Sequence, residues 1–460
     1  MAFQMALAKG IASLCTWGLK HVFRRPAANF PGKIALYVDP RLIADLGRDL
    51  KKGSVVVSGT NGKTTVTALL ASTLEACGMS VAWNRTGANL DSGIASALLQ
   101  SPGADWGVFE CDELWVAKVL PGLESAYLLL LNLFPDQLDR FGESSVIAQS
   151  IEAALKNSPK TVFVYNADDP LCAAIAAKVP NESIAFGFAA AIDGRHWGRV
   201  QSFASDPSPE CFICQLCSGI LDYHWHQYGQ LGDYACPQCG FKRPAIAFLA
   251  QDVRQEATGQ SFTVSSPPAA PLCIHTSFRG AYMLYNLLAA YTLSALLECP
   301  DALFRESLSA FDPQNGRLQE FEAQGKKLLL NLAKNPTGFN QNLELILQDS
   351  CARAAAFFIN DREGDGRDIS WLWDIDFEVL AGQEDLRVFA GGIRRNELQL
   401  RLKYAGIPAE LIEGAEDVLE HCARLPEGRL YLIANYTALP PIREELAVLA
   451  QKSAGEAKGA

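Results

Sequence analysis

From about residue 54 to 180, short runs of β-branched and aliphatic residues alternate with longer runs whose apolar positions recur every three or four residues. Ser54–Gly59 reads as a strand and Thr64–Gly78 as the helix after it. Trp106–Glu110, Ser125–Leu133 and Thr161–Asn166 read as further strands, and Asp168–Val179 as another helix. The strands are apolar throughout rather than alternating, as strands buried on both faces are. The pattern predicts a parallel sheet with helices on both faces, which binds ligands at the carboxyl ends of its strands. From about 205 to 245 the composition shifts to Cys, Tyr, His and Gly, the mark of an inserted module. Helical spacing returns at Met283–Glu298. A third block begins near Arg317, with strands at Lys327–Leu332, Ala354–Asn360, Arg387–Gly391 and Arg429–Asn435. The expected organisation is a helical lead-in over 1–50, a central domain over 51–315 carrying the insertion, a smaller α/β domain over 316–450, and a frayed tail over 451–460.

Composition narrows the class. The chain has 460 residues, too many for one ordinary domain, with 49% apolar and 20% charged residues. A net charge of −11 argues against a chain built to grip nucleic-acid phosphates. No run is apolar enough to span a membrane. The segment Met1–Pro26 is interrupted by Lys9, and its basic residues follow the apolar part. It reads as an amphipathic helix rather than a signal peptide, and such a helix can rest on a membrane surface. Thirteen cysteines without a secretion signal place the chain in a reducing cytoplasm. Isolated Cys15, Cys77, Cys172, Cys273, Cys299, Cys351 and Cys422 read as small buried residues.

The candidate chemistry lies at strand ends. Gly62-Lys63-Thr64 matches the core of a P-loop, whose backbone N–H groups cradle phosphates while the lysine adds charge and the threonine can ligate Mg²⁺. Val57 stands where the full consensus has glycine, so the loop is a variant. Glu110, Asp112 and Glu113 end a predicted strand and offer the carboxylate oxygens that Mg²⁺ prefers; a solvated acidic turn is the plain reading for Asp112 and Glu113. Cys214, Cys217, Cys236 and Cys239 form two Cys-x-x-Cys pairs separated by 18 residues, the spacing of a closed tetrahedral zinc site. Cys211 offers an alternative partner for Cys214. His224 and His226 between the knuckles read as surface residues.

The loop Gly59-Thr60-Asn61-Gly62-Lys63-Thr64-Thr65 resembles the ATP loop of the Mur ligase superfamily, which joins an amine to a carboxylate through an acyl phosphate. The resemblance makes Glu110 a Mg²⁺ ligand and assigns Asn132, Asp136, Asp139 and Gly142 to a superfamily motif, with Gln137 replacing its histidine. Asn166–Pro170 is a further superfamily signature. Asn286 matches the asparagine that contacts the nucleotide, while Met283 departs from that motif. Arg317, after Gly316, matches the arginine that reaches the ATP phosphates from the domain junction.

Within the superfamily, DQLDR with GE, NRTGANLDSG, a Cys₄ ribbon and DGRD before SW are similar to the MurT-type subunit of lipid II isoglutaminyl synthase. Asn331 and Lys334, standing where amino-acid-adding ligases have Asp and His, agree with it. The resemblance covers most of residues 30 to 445. It implies ATP-dependent amidation of the D-glutamate α-carboxylate in the lipid II stem peptide. The ATP would bind between the central and third domains, with Mg²⁺ at Thr64 and Glu110 and a structural Zn²⁺ in the ribbon. It also implies a partner, a GatD-type glutaminase subunit that supplies ammonia, with Asp368 completing the partner's catalytic triad and Asp374 and Asp376 as fallbacks. None of the six histidines lies beside a nucleophile motif, so a glutaminase would be another chain. Too few residues precede the first sheet strand for the separate nucleotide-sugar-binding domain of many Mur ligases, as suits a lipid-linked acceptor at the inner face of the plasma membrane. Whether the acceptor is lipid II or its precursor without the lipid stays open. The rivals are a folylpolyglutamate-type amino-acid ligase, which would need no glutaminase, and a scaffold or nucleic-acid binder acting through the ribbon, which has only Lys242 and Arg243 as nearby cations.

Overall fold

A computed structural model of the chain describes all residues except 1, 23–27, 86, 135–143, 193–211, 257–258, 313–316, 424, 426–427 and 460. Asp136, Gln137, Asp139, Gly142, Cys211 and Gly316 lie outside the described residues. The chain forms two compact units, the first running to Phe311 and the second starting at Asp312.

In the first unit, helices α1 (Ala2–His21), α2 (Phe30–Val38) and α3 (Leu42–Gly47) precede β1 (Gly53–Ser58). Next come α4 (Lys63–Ala76), β2 (Val81–Trp83), α5 (Asp91–Gln100), β3 (Trp106–Glu110), α6 (Val116–Leu123), β4 (Tyr127–Leu130), α7 (Ser144–Lys156), β5 (Val162–Asn166), α8 (Pro170–Ala176) and β6 (Ser183–Phe188). The inserted β7 (Asp222–His226) and β8 (Gly232–Ala235) pair only with each other. The chain then continues through β9 (Phe248–Glu256), β10 (Gly259–Ser265), β11 (Leu272–Thr276), α9 (Ala281–Leu296) and α10 (Asp301–Ser309).

The sheet order is β11-β10-β9-β6-β5-β4-β1-β3-β2. Every pairing from β9 to β2 is parallel, and the strands predicted between 54 and 180 all fall in this part. The antiparallel β9–β10–β11 edge was not predicted. Val55, Val56 and Val57 are fully buried, so the apolar run of β1 is explained by cover on both faces. Because β1 lies between β3 and β4, its carboxyl end opens at the switch point of the sheet, where such folds hold ligands. On α2, Gly32 lets the helix touch α5: a Cβ there would stand 1.9 Å from the Ser92 carbonyl oxygen.

The second unit contains β12 (Gln319–Ala323), β13 (Lys326–Leu332), α11 (Pro336–Gln348), β14 (Ala352–Phe358), β15 (Arg387–Gly391), α12 (Arg395–Tyr404), β16 (Ala409–Leu411), α13 (Ala415–Cys422), β17 (Arg429–Ala434) and α14 (Leu439–Gly459). Its sheet runs β12-β13-β17-β14-β15-β16, parallel except for β12. Phe339, Trp371, Phe377 and Leu398 fill one face, and Val418, Leu419, Ile442 and Leu446 the other.

Three expectations are corrected. Residues 451–459 continue α14 instead of fraying, since their Ala, Glu, Lys and Gln content favours helix. Cys273 and Cys351 are exposed rather than buried. His226 is buried, with Nε2 at 2.5 Å from the Gly229 carbonyl oxygen and its ring against Phe212 and Tyr223; His224 is exposed, as expected.

Candidate functional site

The phosphate loop leaves β1 through Gly59 (φ 133°) and enters α4 through Gly62 (φ 96°), backbone angles that disfavour any other residue. No side chain caps α4, so the N–H groups of its first turn face the loop. The loop is stitched to the chain leaving β4. Thr60 N donates to the Asn132 carbonyl oxygen (3.0 Å), Asn61 N to Asn132 Oδ1 (2.9 Å), and Phe134 N to Thr60 Oγ1 (3.0 Å). Asn286, at the start of α9, presses on the loop from the other side: a Cβ on Gly62 would lie 2.1 Å from its Oδ1. Gly59 to Thr65, Glu110 and Asn286 are thus brought together, as the sequence predicts.

Lys63 is buried. Its Nζ donates to the Gly59 carbonyl oxygen (2.5 Å) and to Glu113 Oε1 (3.0 Å). Burial works against its charge, but Glu113, Glu110 and Asp112 together outweigh that penalty and raise its pKa above the ordinary value. Glu113, read in the sequence as a solvated turn residue, is in fact 7% exposed. It comes three residues after Glu110, at the start of a short 3₁₀ segment beyond β3, and its carboxylate reaches Lys63.

Thr64 Oγ1 donates to Glu110 Oε2 (2.7 Å). Glu110 is held by Asn84, which accepts from the Glu110 N–H (2.9 Å) and donates to its carbonyl oxygen (2.8 Å). Gly87 (φ 70°) turns its bare Cα to this pair, and a Cβ there would sit 3.7 Å from both Thr64 Oγ1 and Glu110 Oε2. The hydroxyl, the carboxylate and the space beside them fit a hydrated Mg²⁺, which takes few protein ligands. Asn84 was not singled out as a support for Glu110; its position at the end of β2, facing the end of β3, is the signal for that role.

The turn after β5 anchors the ribbon. Asp168 is fully buried and accepts from Phe188 N (2.9 Å), Tyr285 OH (2.7 Å) and Arg243 Nε (2.7 Å). Asp169 caps α8 at Leu171 N (2.9 Å) and also accepts from Leu133 N (2.8 Å) and Gln230 Nε2 (3.1 Å). Burial pushes both carboxyls up in pKa, against the pull of these donors. Arg243 and Gln230 belong to the inserted module, so the module is fixed to the sheet through a buried ion pair and not left as a loose appendage.

Within the module, the four sulfurs of Cys214, Cys217, Cys236 and Cys239 lie within 4.8 Å of one another. Tetrahedral Zn–S bonds place sulfurs about 3.8 Å apart, and the Cys214–Cys239 and Cys217–Cys236 separations are 3.6 and 3.5 Å. Each knuckle closes on itself, with Ser218 N donating to the Cys214 carbonyl oxygen (2.8 Å) and Gly240 N to that of Cys236 (3.0 Å). N–H groups of Cys239 and Gln238 pull the Cys236 thiol down to about 7. The cluster fits a structural zinc.

In the second unit Arg317 lies just before β12. The next residue, Leu318, is held by its N–H to Asn331 Oδ1 (3.1 Å), and Asn331 Nδ2 donates to Asn342 on α11 (2.7 Å). The acidic segment after β14 is folded into two 3₁₀ turns, with Trp371 and Phe377 buried and Trp373 53% exposed beside Tyr404. Asp368 is exposed and caps Ser370 through its N–H (2.8 Å) and Oγ (2.9 Å). Asp374 is raised in pKa by burial and by Asp368, against Arg401. Asp376 is engaged inward, accepting from Asn340 Nδ2 (3.0 Å).

The chain is similar to known proteins in both sequence and fold. Residues 57–232 match the Mur ligase middle domain. The structure is similar to a pseudomurein peptide ligase type C from Methanothermus fervidus (TM-score 0.68, 19% identity, covering 87% of this chain and 79% of that one). Fold and site define an ATP-dependent ligase of the Mur type. Residues 332–439 match the MurT ligase C-terminal model. The chain is 32% identical over 431 residues to the lipid II isoglutaminyl synthase (glutamine-hydrolyzing) subunit MurT of Staphylococcus aureus (strain COL), covering 91% of this chain and 92% of that protein. It is 31% identical over 427 residues to the same subunit of Streptococcus pneumoniae (strain ATCC BAA-255 / R6), with equal coverage. It belongs to the MurT family. Among the described residues no helix is long and apolar enough to cross a membrane.

Proposed function

We propose that this chain is the ATP-consuming subunit of a lipid II isoglutaminyl synthase, converting the D-glutamate α-carboxylate of the lipid II stem peptide to the amide of D-isoglutamine. The observation that carries the reading is the meeting of buried Lys63 and half-buried Thr64, on an uncapped helix N-terminus, with buried Glu110 at the end of β3, in a chain of this family.

Backbone N–H groups from Gly59 to Thr65 receive the β- and γ-phosphates, and Lys63 exchanges its carbonyl and Glu113 partners for phosphate oxygens. Thr64 and Glu110 would hold Mg²⁺, which when bound would supply positive charge beside the phosphates. Asn286 contacts the nucleotide side of the loop. Arg317, whose neighbour Leu318 is held by Asn331, is the arginine that the resemblance to Mur ligases assigns to the ATP phosphates. The γ-phosphoryl passes to a carboxylate oxygen and ADP leaves. Ammonia then attacks the acyl carbon, and phosphate departs with that oxygen.

Ammonium is the dominant free species at neutral pH and is no nucleophile, so local supply from a glutaminase subunit of the GatD type fits the chemistry. Asp368, exposed and near enough to Asp374 to raise its pKa, is the carboxylate offered to that partner; Asp376 is spent on Asn340. Cys214, Cys217, Cys236 and Cys239 hold Zn²⁺ as a staple. The central domain ends at Phe311 and the C-terminal domain runs from Asp312 through α14, and the protein works at the inner face of the plasma membrane. The test is ATP turnover with lipid II and ammonium or glutamine, with and without the co-purified glutaminase. Amide formation with glutamine only when the partner is present supports the reading. Incorporation of an amino acid instead would refute it.

A further inference from the structure

Helix α1 is apolar on two opposite faces. One carries Ala8 and Ala12, buried where the helix packs on α2. The other carries Leu7, Leu14 and Trp17, which are 45%, 70% and 58% exposed. Gly10 completes this second stripe, so it recurs at intervals of three and four residues, the repeat of one helix face. A globular fold needs only the first stripe. On α2, Phe30 and Tyr37, seven residues apart and therefore on one face, are 53% and 92% exposed.

The charge carried by the α1 and α2 segment itself is one-signed. Residues 1–38 contain no Asp or Glu, in a chain whose net charge is −11. The described cations are Lys9, which meets Asp49 only at 4.0 Å, and the exposed Lys33. A protein partner can match an apolar stripe without asking for this exclusion of acids. An anionic bilayer rewards both features: Trp and Leu enter the headgroup boundary while lysines stay at the phosphate level.

We propose that the outer face of α1, with Leu7, Leu14 and Trp17, is a docking surface for an anionic lipid bilayer. It rests on the surface itself and deepens the function proposed above: a chain acting on a lipid-borne carboxylate gains by lying where that lipid is anchored.

The experiment is flotation of the full chain with phosphatidylglycerol–phosphatidylcholine vesicles and with pure phosphatidylcholine vesicles, without lipid II or ATP. The wild type should float with the anionic vesicles and do so at least about tenfold less with neutral ones, and added salt should release it. Leu14→Glu/Trp17→Glu should cut flotation by roughly tenfold or more. These side chains are exposed, so the thermal transition and the amidation of detergent-dispersed lipid II should stay at wild-type levels. Wild-type protein that stays in the soluble fraction, or a double variant that floats equally well, overturns the proposal. So does a double variant that still floats but no longer binds the glutaminase, which assigns the face to protein. Vesicle binding and ATP-dependent amidation are read separately, so failure of either is distinguishable from failure of the other.

Discussion

The Thr64 hydroxyl and the Glu110 carboxylate meet at 2.7 Å, although 46 residues separate them in the chain. One opens the helix after β1 and the other ends β3, and adjacent parallel strands bring them together at the switch point. Glu110→Gln keeps the hydrogen bond with Thr64 but removes the charge that binds a dication. ATP turnover should fall by about 10²-fold or more, and the Mg²⁺ needed for half-maximal rate should rise. A thermal melt within a few degrees of wild type would separate this from unfolding.

The ribbon makes a second prediction. Purified protein should carry one zinc per chain by elemental analysis. Cys239→Ser should abolish it and lower the melting temperature, because a closed sulfur site contributes folding energy directly. The central sheet should keep nucleotide binding, since no P-loop residue is drawn from the ribbon. Unchanged zinc content in Cys239→Ser would exclude the four-sulfur site.

Asp349 predicts a pH dependence of stability. Burial pushes its carboxyl up, but Tyr431 OH (2.6 Å), Cys351 N (2.9 Å) and Arg429 Nη1 (2.7 Å) outweigh this and hold its pKa below the usual value. A depressed folded pKa stabilises above the unfolded value of about 4 and loses that stabilisation as pH falls through the folded pKa. Asp349→Asn should therefore be less stable than wild type by about 1–2 kcal/mol at neutral pH. The gap should close in acid, as followed by urea melts across the range.

Asp368→Asn should lower glutamine hydrolysis in the two-subunit complex while leaving ATP binding and ammonium-driven amidation near wild type. Asp376→Asn, which disturbs a contact with Asn340 on α11 inside the second unit, should cost stability first. Normal glutaminase turnover in Asp368→Asn would remove Asp368 from the site.

Much of this was legible in the sequence where the signal is local. The run Val55–Leu70 specifies a strand, a glycine-rich turn and a helix through neighbouring residues alone. The two Cys-x-x-Cys knuckles are likewise legible from neighbouring residues. What stayed hidden depends on residues far apart in the chain. Glu113 looked like part of a solvated acidic turn until the fold set it against Lys63. The ion pair of Arg243 with Asp168 joins the ribbon to a turn 75 residues earlier, and no periodicity announces such a contact. Trp371, Trp373 and Phe377 lie within seven residues of one another, and packing buries the first and last but leaves Trp373 open.

The central claim is that a substrate carboxylate oxygen becomes part of a phosphate leaving group. It is tested most directly with lipid II carrying heavy oxygen in the D-glutamate α-carboxylate, incubated with the complex, ATP, Mg²⁺ and glutamine. The account predicts one labelled oxygen in each inorganic phosphate released, formed in step with the amide. Amide formation with unlabelled phosphate would contradict it.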